Sequence, residues 1–327
     1  MNRREFLQSS MASAPLLGSG SQTGQPIPRE PVSGGTAGLS YDLAIEIERK
    51  REGRPYAGKM LAAIQPHCDD VPIFAGGTVL KLIDEGYRGI LINLSDDSLA
   101  GAGSSIGDIT LSNENDTREV ARRLGLEEVF FLNYPNHNMD GWSLLEMRAR
   151  LIFIFRLMKV DTVLCYDPSA LYERNPDHTA TAKAVESACW MARSEWDYPE
   201  HFKSGLTPHG PKDKYYFARG PQLVNRVVDT SDYIDAKVHC NLANLTQGPA
   251  GDQGARLRRR LAGEGRRLPI LGDDDDTANR AYTQHIALRR DRLRGMAHGL
   301  SYAELFHYDP PDESYEEEYA RENSVPL

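Results

Sequence analysis

Two short segments of the chain place a histidine beside aspartates, each some residues after an apolar stretch. The sequence HCDD at positions 67–70 follows the apolar segment 60–64, and the sequence NPDH at 175–178 follows the apolar segment 162–166. Each apolar segment has the length of a buried strand. Open α/β sheets bind their ligands just outside the carboxyl ends of the strands. Both motifs are therefore predicted to lie where such a fold carries out chemistry.

The residue types in these motifs suit a divalent metal. Imidazole nitrogens and carboxylate oxygens are common zinc ligands, and His67, Asp70 and His178 would supply two nitrogens and one carboxylate. Such a set leaves coordination positions for water and substrate, and it requires the two preceding strands to be neighbours. The alternative interpretation is a turn in which the aspartates only cap a helix that begins near Val71.

The elements around the motifs alternate between strand and helix. Strands are predicted over 59–64, 89–94, 128–133 and 162–166, and helices over 71–85, 113–124, 143–159 and 179–193. This alternation predicts an α/β fold, with a doubly wound, mostly parallel Rossmann-like sheet and helices on both faces. A further helix is predicted before the first strand, over 41–51.

A C-terminal α/β extension follows the second histidine motif. Its predicted elements are strands over 215–218 and 223–229, a helix over 231–245 and a last helix over 278–295. The segment 247–276 is rich in Gly, Arg and Asp, and its charge runs predict a solvated loop. The segment 39–308 is thus expected to form a single domain, followed by an acidic tail at 309–327 that is at best partly ordered.

The first 38 residues have the composition of an export leader and a flexible tether. Arg3 and Arg4 begin a segment, NRREFLQ, that resembles a twin-arginine signal, and a short apolar region follows it. Residues 19–38 are rich in Gly, Ser, Thr and Pro. We expect export to the periplasm or the extracellular space; the alternative is a disordered basic N-terminus.

Composition and charge restrict the partners. The 327 residues are 40% hydrophobic and 26% charged, which is ordinary for a globular protein. A net charge of −9 argues against binding to nucleic acid or to an anionic membrane, both of which favour a basic surface. No apolar run approaches the ~20 residues of a membrane-spanning helix, so no transmembrane span is predicted. The four cysteines have no spacing typical of a disulfide framework.

The motifs together resemble those of a known family. The sequence PHCDD followed by AGGTVLKL, and NPDH later in the chain, is similar to the PIG-L/LmbE-like family of zinc-dependent N-acetylglucosaminyl deacetylases. The usual forms of the two motifs in that family are A/P-H-P-D-D and H-P-D-H, and the resemblance extends over most of 59–306. It implies that His67, Asp70 and His178 hold zinc, although iron(II) or another divalent metal also suits this ligand set.

The resemblance also implies a reaction and a substrate class. A metal-activated water would remove an acyl group, in the first place acetyl, from the amine of a small amino sugar, a glycoconjugate or a related amide. Asp69 would be the general base. By position, Arg118 would contact the substrate and Tyr172 the oxyanion. His137 is a further candidate for the pocket, because it follows the carboxyl end of the third strand.

The chain departs from the family pattern at two positions. Asn175 replaces a histidine, and an amide can donate a hydrogen bond to an oxyanion but cannot titrate. Cys68 replaces a proline; its thiol either contacts the metal or points away from it. One alternative is therefore a metal-binding family member with weak or no turnover that acts as a binding protein. A second is a nucleotide-binding α/β oxidoreductase, which the missing glycine fingerprint disfavours.

Overall fold

The computed structural model of the chain describes residues 44–311 and 315–326. The predicted leader and tether at 1–38, and the first residues of the helix predicted over 41–51, lie outside the described residues. Within the described residues no helix is both long and apolar enough to cross a membrane.

The described residues form an eight-stranded sheet with the strand order β1-β7-β8-β6-β5-β2-β3-β4. The strands are β1 Glu46–Glu48, β2 Met60–Gln65, β3 Arg88–Ser95, β4 Glu128–Tyr134, β5 Thr162–Tyr166, β6 Asp213–Phe217, β7 Arg226–Asp229 and β8 Ala303–Asp309. Only β8 runs antiparallel to its neighbours, β6 and β7; the other pairings are parallel. The predicted mostly parallel α/β sheet is confirmed.

Helices surround this sheet. They are α1 Asp70–Phe74, α2 Gly76–Asp84, α3 Ile106–Leu124, α4 Leu144–Met158, α5 Pro176–Ala192, α6 Glu200–Lys203, α7 Ile234–Asn241, α8 Gln253–Gly263, α9 Asp275–Tyr282, α10 Arg289–Ala297 and α11 Tyr315–Asn323. Helix α11 lies in the segment expected to be an acidic tail. Its glutamates and alanine favour helix, and three glutamates in its first turn suit the positive end of the helix dipole.

The central strands explain why the two histidine motifs meet. Every residue of β2 and β5 is buried, as expected for strands covered on both faces. The two strands are neighbours, with Leu61 opposite Thr162 and Ala63 opposite Leu164. Since they run parallel, their carboxyl ends lie at the same edge of the sheet, and each motif follows one of them.

The helix predicted over 41–51 is wrong where the structure describes it. Residues 46–48 form β1, which runs parallel to β7 at the end of the sheet. The alternation of apolar and charged residues in this segment is compatible with a helix or a strand. Contacts with the rest of the fold decide between the two. Glu48 is buried and binds the Lys81 ammonium at 2.8 Å and the Arg226 guanidinium at 2.6 Å, contacts that an isolated segment does not reveal.

The predicted solvated loop over 247–276 is also wrong, because it contains helix α8. Arg258 and Arg259 of α8 both bind the Asp275 carboxylate of α9, at 2.6 and 2.5 Å. Ala255 and Leu261 of the same helix are buried. The charge runs therefore belong partly to a helix pair and not only to solvated chain. The helix predicted over 278–295 is interrupted by a π-helical turn, Thr283–Ala287, between α9 and α10.

A buried ion cluster ties the C-terminal extension to the rest of the sheet. The ammonium of Lys237 on α7 lies 2.5 Å from the carboxylates of both Asp291 on α10 and Glu304 on β8. Glu304 also accepts hydrogen bonds from the backbone amides of Gly77 and Thr78 at the start of α2, both at 2.8 Å. Because all these charges are paired, burial does not leave any of them unsatisfied. The cluster fixes α7 and α10 relative to α2, which follows the first histidine motif and α1.

Candidate active site

The first motif is held by its own backbone and side chains. The His67 amide donates to Asp70 Oδ2 at 3.0 Å, and the Val71 amide donates to Gln65 Oε1 at 3.0 Å. Asp69 precedes α1, but its side chain makes no capping hydrogen bond. The interpretation of this aspartate as only a helix cap is therefore not supported, and its carboxylate is available for other contacts.

His67, Asp70 and His178 converge at the carboxyl ends of β2 and β5. All three are buried, and one potential ligand atom from each lies within 4.8 Å of the other two. His67 Nδ1 is 3.1 Å from His178 Nε2, and Asp70 lies 3.3 Å from the first nitrogen and 3.6 Å from the second. The structure thus brings together the three residues that the motifs nominate as ligands.

The outer nitrogen of each imidazole contacts a carboxylate. His67 Nε2 lies 3.1 Å from Asp177 Oδ2, and His178 Nδ1 lies 3.3 Å from Glu173 Oε2. Metal-binding histidines commonly donate their second N–H to a carboxylate in this way, which fixes the tautomer. With the protons on these outer nitrogens, His67 Nδ1 and His178 Nε2 direct lone pairs towards each other. The residues present therefore fit a divalent metal.

The charges around His67 support the same interpretation. Burial opposes its protonated form, but the carboxylates of Asp177 and Asp70 outweigh burial and raise the pKa of His67 to about 11. Such a strong preference for positive charge shows that the local potential is negative. Bound Zn²⁺ would supply positive charge at this point, where both imidazoles can act as neutral ligands. Tyr166 contributes a 2.6 Å hydrogen bond from its hydroxyl to Asp70 Oδ1.

Asp69 lies beside the triad, beneath a later loop. Gln247 Nε2 donates to Asp69 Oδ1 at 3.2 Å, and a Cβ on Gly248 would lie 2.9 Å from Asp69 Oδ2. Burial and the neighbouring charge of Asp70 raise the pKa of Asp69 to about 6. Sequence reasoning missed Gln247, because its segment was interpreted as solvated loop; only the glycine after it hinted at a close approach.

A cleft of about 580 Å³ opens above these residues. The triad and Asp69 lie in it, and His137 and Asn175 line it. Arg219 and Arg290, from the C-terminal extension, line it as well, and sequence reasoning named neither. Their positions depend on long-range packing, and no local motif surrounds them.

Asn175 has two roles in this geometry. It is the N-cap of α5, where its Oδ1 accepts a 3.0 Å hydrogen bond from the Asp177 amide. With the oxygen occupied, the amide NH₂ is the part of the side chain that remains to donate. Helix α5 begins at Pro176, three residues before the predicted start; an Asn–Pro pair is a typical start signal.

His137 lies at the rim of the cleft. Its ring centroid is 6.2 Å from that of His67, and its backbone has a positive φ of 62°. The His137 amide donates to Asp177 Oδ2 at 2.6 Å. Burial opposes the ionised form of Asp177. The contact with His67 and the hydrogen bonds from the His137 and Met139 amides outweigh burial, and together they lower the pKa of Asp177.

Three other candidate residues lie away from the triad. The Arg118 guanidinium is 4.6 Å from the Phe131 ring centroid on an exposed side of α3, and it does not line the cleft. Tyr172 is 80% exposed and does not line the cleft either. Cys68 is buried and directs its Sγ to Asn113 Oδ1 at 3.4 Å, so its thiol points away from the ligand cluster.

Comparison with known proteins identifies the domain. A family model described as "PIG-L: GlcNAc-PI de-N-acetylase" matches residues 62–189, which contain both histidine motifs. This segment of the chain is therefore similar to a PIG-L domain. The resemblance to the PIG-L/LmbE-like deacetylase family is thus confirmed.

This chain is similar to two curated deacetylases. It is 26% identical over 195 residues to diacetylchitobiose deacetylase from Thermococcus kodakarensis, covering 58% of this chain and 71% of the relative. It is 24% identical over 259 residues to 1D-myo-inositol 2-acetamido-2-deoxy-α-D-glucopyranoside deacetylase from Mycobacterium sp. strain KMS, covering 65% of this chain and 80% of the relative.

Solved structures share the fold. The N,N′-diacetylchitobiose deacetylase of Pyrococcus horikoshii superimposes with a TM-score of 0.61 at 22% identity, over 77% of this chain and 84% of that chain. The 4-carboxy-2-hydroxymuconate hydratase of Pseudomonas putida superimposes with a TM-score of 0.56 at 16% identity, over 78% and 98%. Because a hydratase has this architecture too, the fold alone does not specify the reaction.

Proposed function

We propose that the chain is a metal-dependent hydrolase that removes an acyl group, in the first place acetyl, from the amine of an amino sugar or a related amide. The observation that carries this proposal is the convergence of His67, Asp70 and His178, with Asp69 beside them, in an open cleft. The names of the curated relatives, which are deacetylases of acetamido sugars, support the same reaction and substrate class.

We assign the metal site to His67 Nδ1, His178 Nε2 and the Asp70 carboxylate, and zinc is the metal that this ligand set suits best. When bound there, zinc lowers the pKa of water and polarises a carbonyl group. Asp177 and Glu173 hold the two imidazoles in the required tautomers. Iron(II) also fits two nitrogens and one carboxylate, and a metal-content assay of the purified protein distinguishes the two.

Asp69 acts as the general base in this proposal. Hydrolysis adds the oxygen of water to the acyl carbon and breaks the carbon–nitrogen bond, so one proton must move from the water to the departing nitrogen. The Asp69 carboxylate accepts that proton and then returns it to the amine, which leaves a carboxylic acid and a free amine as products. The contact from Gln247 Nε2 orients the carboxylate for this transfer.

Asn175 stabilises the oxyanion through a neutral hydrogen bond. Its Oδ1 is engaged at the start of α5, so the NH₂ group is the donor that can face the cleft. A donor of this kind is worth ~3 kcal/mol to a developing oxyanion. It cannot supply a proton to the leaving group, and that task remains with Asp69.

The test is release of free amine from N-acetylated sugars by the purified, zinc-loaded protein. The Asp69→Asn variant should retain zinc and lose turnover by at least about 100-fold, because the amide cannot accept the proton. An equally active Asp69→Asn protein would refute the assignment of the base. A parent protein that binds zinc and sugars but releases no amine would instead favour the binding-protein alternative.

We also propose that residues 1–38 export the protein, on the strength of Arg3 and Arg4 and the Gly/Ser-rich segment that follows. Changing both arginines to lysine should retain the protein in the cytoplasm, as fractionation of expressing cells would show. Unchanged export of that variant would contradict the proposal.

A further inference from the structure

Strand β4 forms one end of the sheet. Within 44–311 and 315–326 it pairs only with β3, so its other side has no strand partner. Its apolar residues, 129–132, are only partly buried, whereas every residue of the central strands β2 and β5 is buried. An exposed apolar edge strand favours association with another chain, and folded proteins normally cover such an edge or place charges on it.

Helix α4, beside β4, is apolar on two faces. One face is buried and contains Met147, Leu151 and Phe155. The other is a stripe of apolar side chains at intervals of four residues, Leu145, Ala149, Phe153 and Leu157. The three large side chains of this α4 stripe are 59%, 41% and 46% exposed, in that order. Because a surface helix normally has one apolar face, the exposed stripe indicates a partner that covers it.

A groove of about 500 Å³ joins the α4 stripe to the edge strand. Phe130 and Leu132 of β4 line it together with Ala149, Phe153 and Leu157 of the stripe. The exposed apolar side chains of the helix and the strand therefore form one continuous surface. Such continuity is typical of a protein–protein contact, since single exposed apolar residues are scattered over any protein surface.

The charges at this groove neutralise each other. Arg150 Nε binds Glu146 Oε1 at 2.5 Å. His201, the other titratable residue of the groove, is kept neutral because burial and the charge of Arg156 lower its pKa. The chain carries a net charge of −9, but this surface has no net charge that would repel a second copy. The same net charge disfavours an anionic membrane as the partner.

The order of side-chain sizes along the stripe matches its own reverse. If two α4 helices lie antiparallel and are centred at position 151, Ala149 of one copy faces Phe153 of the other, and Leu145 faces Leu157. The small alanine then leaves space for the phenyl ring. A two-fold interface uses the same surface on both subunits and requires this kind of self-matching. Side chains four residues apart also form the ridges by which helices most commonly pack.

We propose that the α4 stripe, with Phe130 and Leu132, binds a second copy of the chain in a two-fold symmetric dimer with antiparallel α4 helices. This inference does not depend on the proposed hydrolase activity. The 15 residues of α4 span about 22 Å, and the helix with the strand layer beside it offers a surface of about 450 Å² in projection. Specific interfaces typically bury about 800 Å² on each partner, so this one belongs to the small class. We therefore expect reversible dissociation in the micromolar range.

The first test is sedimentation equilibrium of the full-length protein at about 1 to 300 µM, a range that brackets the expected affinity. Leu157→Glu should raise the dissociation constant of the dimer by at least about 10-fold, because each dimer would bury two unpaired carboxylates. The matched control is Leu293→Glu, since Leu293 is a helical leucine that is 50% exposed and does not line the groove. This control should leave the dissociation constant within about threefold of the parent.

Two outcomes of this measurement would overturn the proposal. One is a parent that stays monomeric at the highest concentration, and the other is self-association that Leu157→Glu does not weaken. Far-UV circular dichroism confirms that each variant is folded. If Leu157→Glu does not fold, Leu145→Glu tests the same surface at a position that is 59% exposed.

The second test exchanges the two facing residues. Ala149→Phe would place phenyl rings against each other, and Phe153→Ala would leave a gap, so each single change should raise the dissociation constant by about 10-fold or more. The double variant Ala149→Phe/Phe153→Ala restores a small residue opposite a large one and should return to within about threefold of the parent. Non-specific apolar association would instead become tighter with Ala149→Phe. That result, or a double variant that binds no tighter than Phe153→Ala, would refute the antiparallel dimer.

Discussion

Replacing Glu173 by glutamine should weaken zinc binding although Glu173 is not a ligand. Its Oε2 lies 3.3 Å from His178 Nδ1, on the side of the imidazole opposite the triad. Burial opposes ionisation of Glu173, but the contacts with His178 and Arg219 lower its pKa to about 2. The group is therefore ionised at neutral pH, and its negative charge beside His178 Nδ1 favours a proton on that nitrogen over one on Nε2.

The expected magnitude follows from the kind of contact that is lost. Carboxylates that orient a metal-binding histidine typically contribute about 10- to 100-fold to metal affinity. Glutamine keeps the size of the side chain, but its amide is neutral. The amide can also rotate so that its NH₂ group, and not its oxygen, faces the Nδ1–H of His178. The freed Arg219 adds little to the effect, because its side chain is 43% exposed and water can solvate it.

The assay is competition for zinc against a chromophoric chelator at neutral pH. Glu186→Gln is the matched control, since Glu186 is an exposed carboxylate on α5 and does not line the cleft. Glu173→Gln should raise the zinc dissociation constant by about 10- to 100-fold, and the control should leave it unchanged. A dissociation constant within about threefold of the parent would refute the reasoning, since the 3.3 Å contact would then not orient His178.

Three further predictions concern the loops around the site and strand β8. Asn175→Ala removes the helix cap and should lower the free energy of unfolding by about 1 kcal/mol, as denaturant titration would measure. Asn175→His should add a decline of turnover at high pH that the parent lacks. Gly248→Ala should reduce kcat with zinc content unchanged, because φ is +100° and the new methyl would lie 2.9 Å from Asp69 Oδ2; unaltered kinetics would contradict this. Asp167 raises the pKa of His307, so their interaction stabilises the fold below the unfolded histidine pKa of about 6.5 and is lost as pH rises through the higher folded value. His307→Gln should therefore lower Tm at acidic pH and have less effect at alkaline pH; an equal Tm difference at both would exclude this pairing.

The fold around the metal ligands could be predicted because its determinants are local. Apolar segments that end in His and Asp define buried parallel strands and the edge at which they meet, and the structure brings His67 and His178 together at that edge. The rest of the cleft wall could not be predicted in this way. Gln247 and Arg290 reach the cleft because helix pairs and the buried Lys237 cluster fold the extension back, and these contacts join residues far apart in the sequence.

The insertion of β8 between β6 and β7 has a consequence for how the chain folds. Both β6 and β7 form their hydrogen bonds on that side with β8, whose residues 303–309 follow β7 in the sequence only after helices α7 to α10. During synthesis, β6 and β7 therefore emerge well before their common partner, and until then each presents an unpaired edge to other chains. The sheet becomes continuous only after residues 303–309 have left the ribosome, so a chain that stops short of residue 303 exposes two open strand edges and is prone to aggregate.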